Sequence, residues 1–354
     1  MISRKSLLSG IMAGVIGAGI AMAGTGDAEA QDKRIRWKMA SWFPSSLTQL
    51  GTLGVSMTER LERVSGGNIQ IKFFEPNALI PAKECFDAVA QGSVDSCWSV
   101  SGYWYGKEPA TAMFTAVPFG PSAGEYLAWV YHGGGLELWD EIYARHGLKS
   151  LPCGIIAPEA SGWFREEIKS IDDLKGLKMR FFGLGAKVME KLGVSTQLLA
   201  GGDIFPALER GSIDATEFSM PAIDLNLGFY QVAKHYYFPG WHQQSTMFEL
   251  LMNRERWDAL SDTQRAQIEV VCGDNFREGL AEGEAIQAKA LIELQEKGVQ
   301  IHRWPQEILD VLEEKWNEVA AEDAARDETF KRVWESYTAF RKEYAVWQEL
   351  GYLN

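Results

Sequence analysis

Histidine and cysteine are scarce in this 354-residue chain, at five and four copies, and positive charge is in deficit. The 35 Lys and Arg face 48 Asp and Glu, giving a formal net charge of −13. Nucleic-acid backbones bind basic surfaces, so a general nucleic-acid binder is excluded, and any anionic ligand must be held by a local cationic site. Cys85, Cys97, Cys153 and Cys272 have no C-x-x-C spacing, which excludes a zinc ribbon or a thioredoxin-type centre. Four scattered thiols allow three pairings, and spacing does not choose among them; the expectation is buried free thiols acting as small apolar groups. Enzyme signatures are missing too. There is no G-x-S-x-G elbow, no H-E-x-x-H, no P-loop and no G-x-G-x-x-G after a strand. His132, His146, His235, His242 and His302 are dispersed, and none pairs with a Cys or Ser in a recognisable motif. Past the first thirty residues, no stretch approaches the ~18 apolar residues of a membrane-spanning helix.

What is present is a globular composition, with 46% hydrophobic and 23% charged residues and thirteen Trp that suit a core or the walls of a cleft. The N-terminus carries Arg4 and Lys5, an apolar run from Leu7 to Ala23, and an A-x-A site at Ala28-Glu29-Ala30. That is the pattern of a secretory signal peptide over residues 1–30, cleaved after Ala30, and it predicts export to the periplasm.

The exported part opens by alternating strand and helix. Ile35–Ala40 reads as a strand, Ser45–Val64 as a helix, Ile69–Phe74 as a strand, Ala82–Gln91 as a helix and Val94–Val100 as a third strand. This order predicts an open, mainly parallel sheet flanked by helices. An internal comparison extends the reading. CFDAVAQGSVD (85–95) and IFPALERGSID (204–214) each read as an amphipathic helix stopped by Gly, then Ser, a β-branched residue and an Asp that opens a strand. Gly92 and Gly211 stand where a left-handed cap belongs. The match predicts two similar α/β lobes sharing one cleft. Ser261–Lys297 is the longest helical stretch, starting in a capping box and long enough to span both lobes, with Gly273, Gly279 and Gly283 as points where it could break.

Three constellations could carry chemistry. LKGLKMR (174–180) places Arg180 in a short strand, where a guanidinium either faces water or meets a carboxylate bidentately. DATEF (214–218) places Glu217 at the end of a strand, where open α/β sheets collect ligands. EASGWF (159–164) could bring Glu159 to the same cleft, and two carboxylates at one point repel unless protonated or bridged by a cation. Tyr103 and Trp241 lie at strand ends suited to cleft walls.

The segments GWFREEIKSIDDLKGLKMR (162–180), GAKVMEKLG (185–193), GGDIFPALERGSIDATE (201–217) and YYFPGW (236–241) resemble the extracytoplasmic solute receptors of tripartite ATP-independent periplasmic (TRAP) transporters. The likeness is to the branch that binds 2-oxo and 2-hydroxy acids. It implies a bilobed α/β fold with two open, mainly parallel sheets flanked by helices, and a long helix across both lobes. Lobe I is expected at 31–154 and 248–300, lobe II at 155–247, and packing helices at 301–354. The resemblance puts Arg180 at the arginine that grips the ligand carboxylate and Glu217 at an acidic metal ligand. Phe218 stands at an aromatic position, commonly Trp, whose backbone carbonyl joins the coordination, and Glu159 where the branch commonly has Gln as a further metal ligand. Tyr103 and Trp241 fall on cleft-lining positions. Sodium is the cation the resemblance favours. Calcium is its rival, because Glu159 adds a carboxylate that a divalent ion would neutralise. The chain ends at Asn354, where some relatives continue into a helix that swaps between subunits, so a monomer is expected. The implied function is capture of a small monocarboxylate for a membrane permease with a small and a large subunit. A C4-dicarboxylate, a larger acid or a periplasmic enzyme acting on such acids stand as alternatives.

Overall fold

The computed structural model describes residues 33–353, so the leader reading of residues 1–30 lies outside the described residues. The first half-lobe has the expected order: β1 (Ile35–Ser41), α1 (Thr52–Val64), β2 (Ile69–Phe73), α2 (Cys85–Ala90) and β3 (Ser96–Ser99). The helix starts at Thr52 and not at Ser45, because Gln49 adopts a left-handed φ of 62° that a helix cannot contain. Leu53, Met57 and Leu61, one turn apart, form its buried stripe. Next come α3 (Ala123–His132), α4 (Gly135–Ala144) and β4 (Leu148–Ile156).

The second lobe contains β5 (Gly162–Phe164), β6 (Lys178–Arg180), α5 (Gly183–Lys191), β7 (Ser195–Gln197), α6 (Gly201–Glu209), β8 (Ala215–Thr216), α7 (Pro221–Leu227) and β9 (His235–Phe238). The chain then returns through β10 (Thr246–Asn253), α8 (Arg254–Asp258) and the long α9 (Asp262–Glu296), before β11 (Gln300–Arg303), α10 (Gln306–Arg326) and α11 (Glu328–Gly351).

The strand orders are β2-β1-β3-β10-β4 in the first sheet and β11-β9-β5-β8-β6-β7 in the second. Both sheets are mixed. The β1, β2 and β3 pairings and the β6, β7 and β8 pairings are parallel, whereas β10 runs antiparallel to β3 and β4, and β5 to β8 and β9. The reason is connectivity: β4 leaves the first lobe and β10 re-enters it beside β4, so the two must run in opposite directions. β11 joins the second sheet parallel to β9, a strand that the expectation of helices alone from residue 301 did not contain.

Two segments, 157–161 and 239–245, therefore cross between the sheets, and they are paired. Glu159 N–H donates to the Gln243 carbonyl at 3.2 Å, and Gly240 N–H to the Glu159 carbonyl at 3.0 Å. Helix α9 lies along both lobes, on β4 and α1 in the first and α7 in the second. At 1.5 Å per residue its 35 residues span about 52 Å. It runs unbroken through its glycines: a Cβ at Gly279 would stand 2.5 Å from the Ile155 carbonyl oxygen, so the glycine lets the helix rest directly on the strand. The predicted capping box is formed, Ser261 Oγ accepting from Gln264 N–H and Gln264 Oε1 from Ser261 N–H. Helix α10 packs on α5, and α11 on α3 and α4.

The cysteines correct the sequence reading. Cys85 is bonded to Cys97, joining α2 to β3, and Cys153 to Cys272, joining β4 to α9. The second pair is 119 residues apart in sequence and becomes adjacent only because α9 lies on β4. Among the described residues, no helix is long and apolar enough to cross a membrane.

Candidate functional site

Strands β6 and β8 are parallel neighbours with Arg180 opposite Thr216, so Arg180 and Glu217 emerge together at their carboxyl ends. The crossing segments run over this edge and deliver Glu159 from one side and His242 from the other. All four side chains are almost wholly shielded from water, none more than 3% exposed.

Each carboxylate has one anchored oxygen and one without a hydrogen-bond partner. Glu217 Oε2 accepts from Arg180 Nη1 at 2.8 Å and from the Phe182 backbone N–H at 3.1 Å, whereas Oε1 has no partner. Glu159 Oε1 accepts from Ser219 Oγ at 2.9 Å, whereas Oε2 has none. The unpartnered oxygens are those nearest His242: Nε2 is 3.5 Å from Glu217 Oε1 and 3.8 Å from Glu159 Oε2. Burial alone would raise Glu217, but the Arg180 charge and its hydrogen bonds outweigh it and hold the carboxyl below the usual range. Glu159 is pushed up to about 7 by burial, against the pull of His242. Burial opposes a charge on His242, yet the two carboxylates raise it to about 9.

Arg180 is held by three acceptor contacts. Nη1 also donates to the Glu217 carbonyl at 2.7 Å, Nε donates to the Leu199 carbonyl at 3.3 Å, and the guanidinium lies 5.0 Å from the Phe218 ring centre. Its Nη2 makes no hydrogen bond among the described residues, so one arm of the fork remains for a ligand.

Beside these groups, a small cavity of about 30 Å³ opens between the lobes. Tyr103, Glu159, Arg180 and Phe218 line it, with Ser219, Gln243 and Thr246 as further polar groups. Its apolar walls are Phe43, Leu50, Val100, Ile156, Phe182 and Phe248. Tyr103 is stacked on Trp42 at 3.8 Å, which fixes its ring. Burial raises its phenol above the ordinary value, so it stays protonated as a donor.

Trp241 corrects the sequence reading, because it does not line the cavity. Its ring packs behind, 5.9 Å from Phe119 and 5.9 Å from Phe181, and it is 3% exposed. The aromatic layer takes the indole, and the next residue, His242, takes the place beside the carboxylates. Sequence reasoning missed His242, since its partners are 83 and 25 positions away. Its neighbourhood to the YYFPGW run at a lobe crossing is the signal that could have raised it.

The donor set fits a cation. Glu159, Glu217 and His242 each offer an atom within 4.8 Å of the others, and those on the carboxylates lack any hydrogen-bond partner. Two buried carboxylates at one point need a positive partner, which the raised His242 supplies as a proton and a bound ion would supply in its place.

Residues 39–327 match DctP, the bacterial extracellular solute-binding protein family 7. A monocarboxylate 2-oxoacid-binding periplasmic protein of Nostoc is 37% identical over 335 residues, 93% of this chain and 91% of its own length. Among solved structures, a TRAP transporter solute-binding protein of Bordetella bronchiseptica with calcium and picolinate superposes at a TM-score of 0.88. It is 33% identical, with 90% of this chain and 95% of that one covered. A Colwellia psychrerythraea protein with calcium and pyruvate gives 0.86 at 31% identity, covering 90% and 98%. A Pseudoalteromonas atlantica protein with sodium and pyruvate gives 0.85 at 32% identity, covering 90% and 97%. These are transport receptors and not an enzyme family. With two lobes, a spanning helix, a charged cleft and a family match over most of its length, the chain belongs to the DctP family of TRAP transporter solute-binding proteins.

Proposed function

We propose that this protein captures a small 2-oxo or 2-hydroxy monocarboxylate in the periplasm and presents it to a TRAP permease of small and large membrane subunits. The supporting observation is Arg180: a buried guanidinium with a free arm on a cavity whose remaining walls are mostly apolar. Arg180 Nη2 takes the acid's carboxylate. Glu159 and Glu217 hold the cation, with the Phe218 backbone carbonyl as the further ligand that family resemblance implies. The bound cation supplies positive charge that links the protein carboxylates to the acid's oxygens. Sodium and calcium, held by the similar structures, are both candidates, and two carboxylates plus the acid's own favour the divalent ion.

Tyr103 donates toward the acid from its place on Trp42, and Leu50, Val100, Ile156 and Phe248 cover the carbon tail. Opening and closing occur about segments 157–161 and 239–245, with α9 as a common spine, and closure shuts water out of the charge pairs. Among the described residues, Arg180 is the one Lys or Arg lining the cavity. A C4-dicarboxylate would leave its second carboxylate without a cationic partner, so the monocarboxylate is favoured. The leader, cleaved after Ala30, directs export.

A thermal-unfolding screen of pyruvate and longer 2-oxo acids, with sodium or calcium, tests the reading. A ligand at a hundred times its Kd adds about 2.7 kcal/mol of stability. A 2-oxo acid that raises the midpoint where succinate does not supports it, and a chain indifferent to every acid contradicts it.

A further inference from the structure

We infer that His242 is the third side-chain ligand of the cation site, and that its nitrogen gives the site a preference for a first-row transition dication over calcium and sodium. The inference rests on the reading of Glu159 and Glu217 as cation ligands. The first observation is the imidazole itself. His242 is 1% exposed, yet neither ring nitrogen has a hydrogen-bond partner. Buried histidines normally satisfy at least one nitrogen, because a polar atom taken from water without replacement is costly.

The second observation is spacing. The Nε2 distances of 3.5 and 3.8 Å lead to Glu217 Oε1 and Glu159 Oε2, the two oxygens without partners. A hydrogen bond would draw such atoms to about 2.8 Å. Ligands at about 2.1 Å from a tetrahedral ion stand about 3.4 Å apart, which the two separations from Nε2 approach, and all three atoms lie within 4.8 Å of one another.

The third observation is that the set is built and oriented. Ser219 fixes the other oxygen of Glu159, and Arg180 with the Phe182 N–H fixes that of Glu217. The free lone pairs thus belong to held side chains. Donor chemistry then decides the preference. Calcium and sodium are hard ions that select oxygen, whereas imidazole nitrogen is a preferred donor for cobalt, nickel and zinc. Two carboxylate oxygens and one imidazole leave further positions open for the acid, as in zinc sites that keep a place for substrate.

The test uses the full exported chain, freed of metal with EDTA and dialysed, at one fixed pH. Calorimetric titrations with CoCl₂, ZnCl₂, CaCl₂ and NaCl give the order of affinity, and visible absorption of the cobalt form reports whether nitrogen is bound. Cobalt and zinc are expected to bind at least about tenfold more tightly than calcium. His242→Gln is expected to lose at least about tenfold in cobalt and zinc affinity, with a changed cobalt spectrum and calcium affinity within about threefold. Calcium binding more tightly than cobalt and zinc in the unaltered chain overturns the inference, whether or not the variant folds. So does His242→Gln with its cobalt affinity and spectrum intact. Pyruvate titrated in parallel separates the two readings. Capture with calcium, but no preference for cobalt or zinc, overturns only the role of His242. A cobalt preference without any acid binding supports that role while removing the proposed function.

Discussion

Two buried acidic centres, one inside the first lobe and one at the cleft between the lobes, differ in what surrounds them. Glu249, on β10 in the first lobe, is fully buried and receives four donors. Ser99 Oγ and Trp104 Nε1 reach Oε1 at 2.7 and 2.6 Å, and Tyr143 OH and Ser150 Oγ reach Oε2 at 2.6 and 2.7 Å. Every lone-pair direction is taken, and the carboxyl ties β3, α4, β4 and β10 together. Glu159 and Glu217, equally buried, stop one oxygen short of that. Burial alone therefore does not mark a functional carboxylate. An unmatched oxygen beside other unmatched atoms does, because a native fold seldom leaves it so unless something else completes it.

The largest expected effect falls on the cleft. Arg180→Lys keeps a positive charge near Glu217 but loses the planar fork, and 2-oxo acid affinity is expected to fall by about a hundredfold or more. Calorimetry checks this, and a loss smaller than about threefold would erase the distinction between the centres. Arg180→Ala is a poorer probe, since it strands Glu217 as an unpaired buried charge at a cost of about 3–5 kcal/mol. Glu249→Gln should do the opposite of Arg180→Lys. Turning one oxygen into an amide disrupts at least one donor pairing, and a stability loss of about 2–4 kcal/mol in urea is expected, with acid affinity within about twofold.

A subtler probe is Asp224 on α7, which belongs between the two extremes. Its Oδ2 accepts from Trp163 Nε1 and Tyr236 OH at 2.8 and 2.9 Å, whereas Oδ1 has no partner. Burial raises it to about 8, against these two donors. An unfolded Asp titrates near 3.9, so between about pH 4 and 8 the folded chain holds a proton that the unfolded chain has lost. Its contribution to stability is therefore present at low pH and lost as pH rises toward 8, by up to about 1.4 kcal/mol per pH unit. Asp224→Asn keeps an acceptor for Trp163 and Tyr236, and its stability between pH 5 and 8 should be flatter than that of the unaltered chain. Parallel slopes in urea titrations would show that Asp224 is ionised throughout. The smallest expected effect is that of Glu159→Gln. With one carboxylate fewer, the advantage of calcium over sodium in supporting acid binding should shrink by about tenfold, read by calorimetry in each salt. An unchanged ratio would mean that Glu159 is a wall and not a ligand.

Much of this architecture is legible in the sequence where local chemistry determines it. The two matched segments form the same joint: Gly92 and Gly211 take φ of 73° and 70°, and Asp95 and Asp214 each accept from the backbone N–H of a neighbouring strand, at Lys38 and Lys178. The residues beyond the two joints differ, and Glu217 is readable because it comes three residues after Asp214, at a strand end. Arg180, Glu159, Phe218 and Tyr103, which line the cavity, also lie close to a turn or strand terminus. His242 was not readable, because the YYFPGW run before it names no ligand and its carboxylate partners lie 83 and 25 positions away in the sequence. The apolar walls at Leu50, Val100 and Phe248 were equally silent, since nothing in sequence separates a leucine facing a cleft from one facing a core. The Cys153–Cys272 disulfide and β11 share this cause: both depend on contacts that exist only once the long helix has crossed the lobes, whereas Cys85–Cys97 closes locally between α2 and β3.

The most direct measurement is a calorimetric titration of the metal-depleted chain with pyruvate, repeated after saturation with calcium. A single site that binds the acid tightly only when the cation is present is the predicted result. Binding of equal strength in both titrations, or no heat with any 2-oxo acid under either condition, would contradict the joint role of Arg180 and the carboxylate pair.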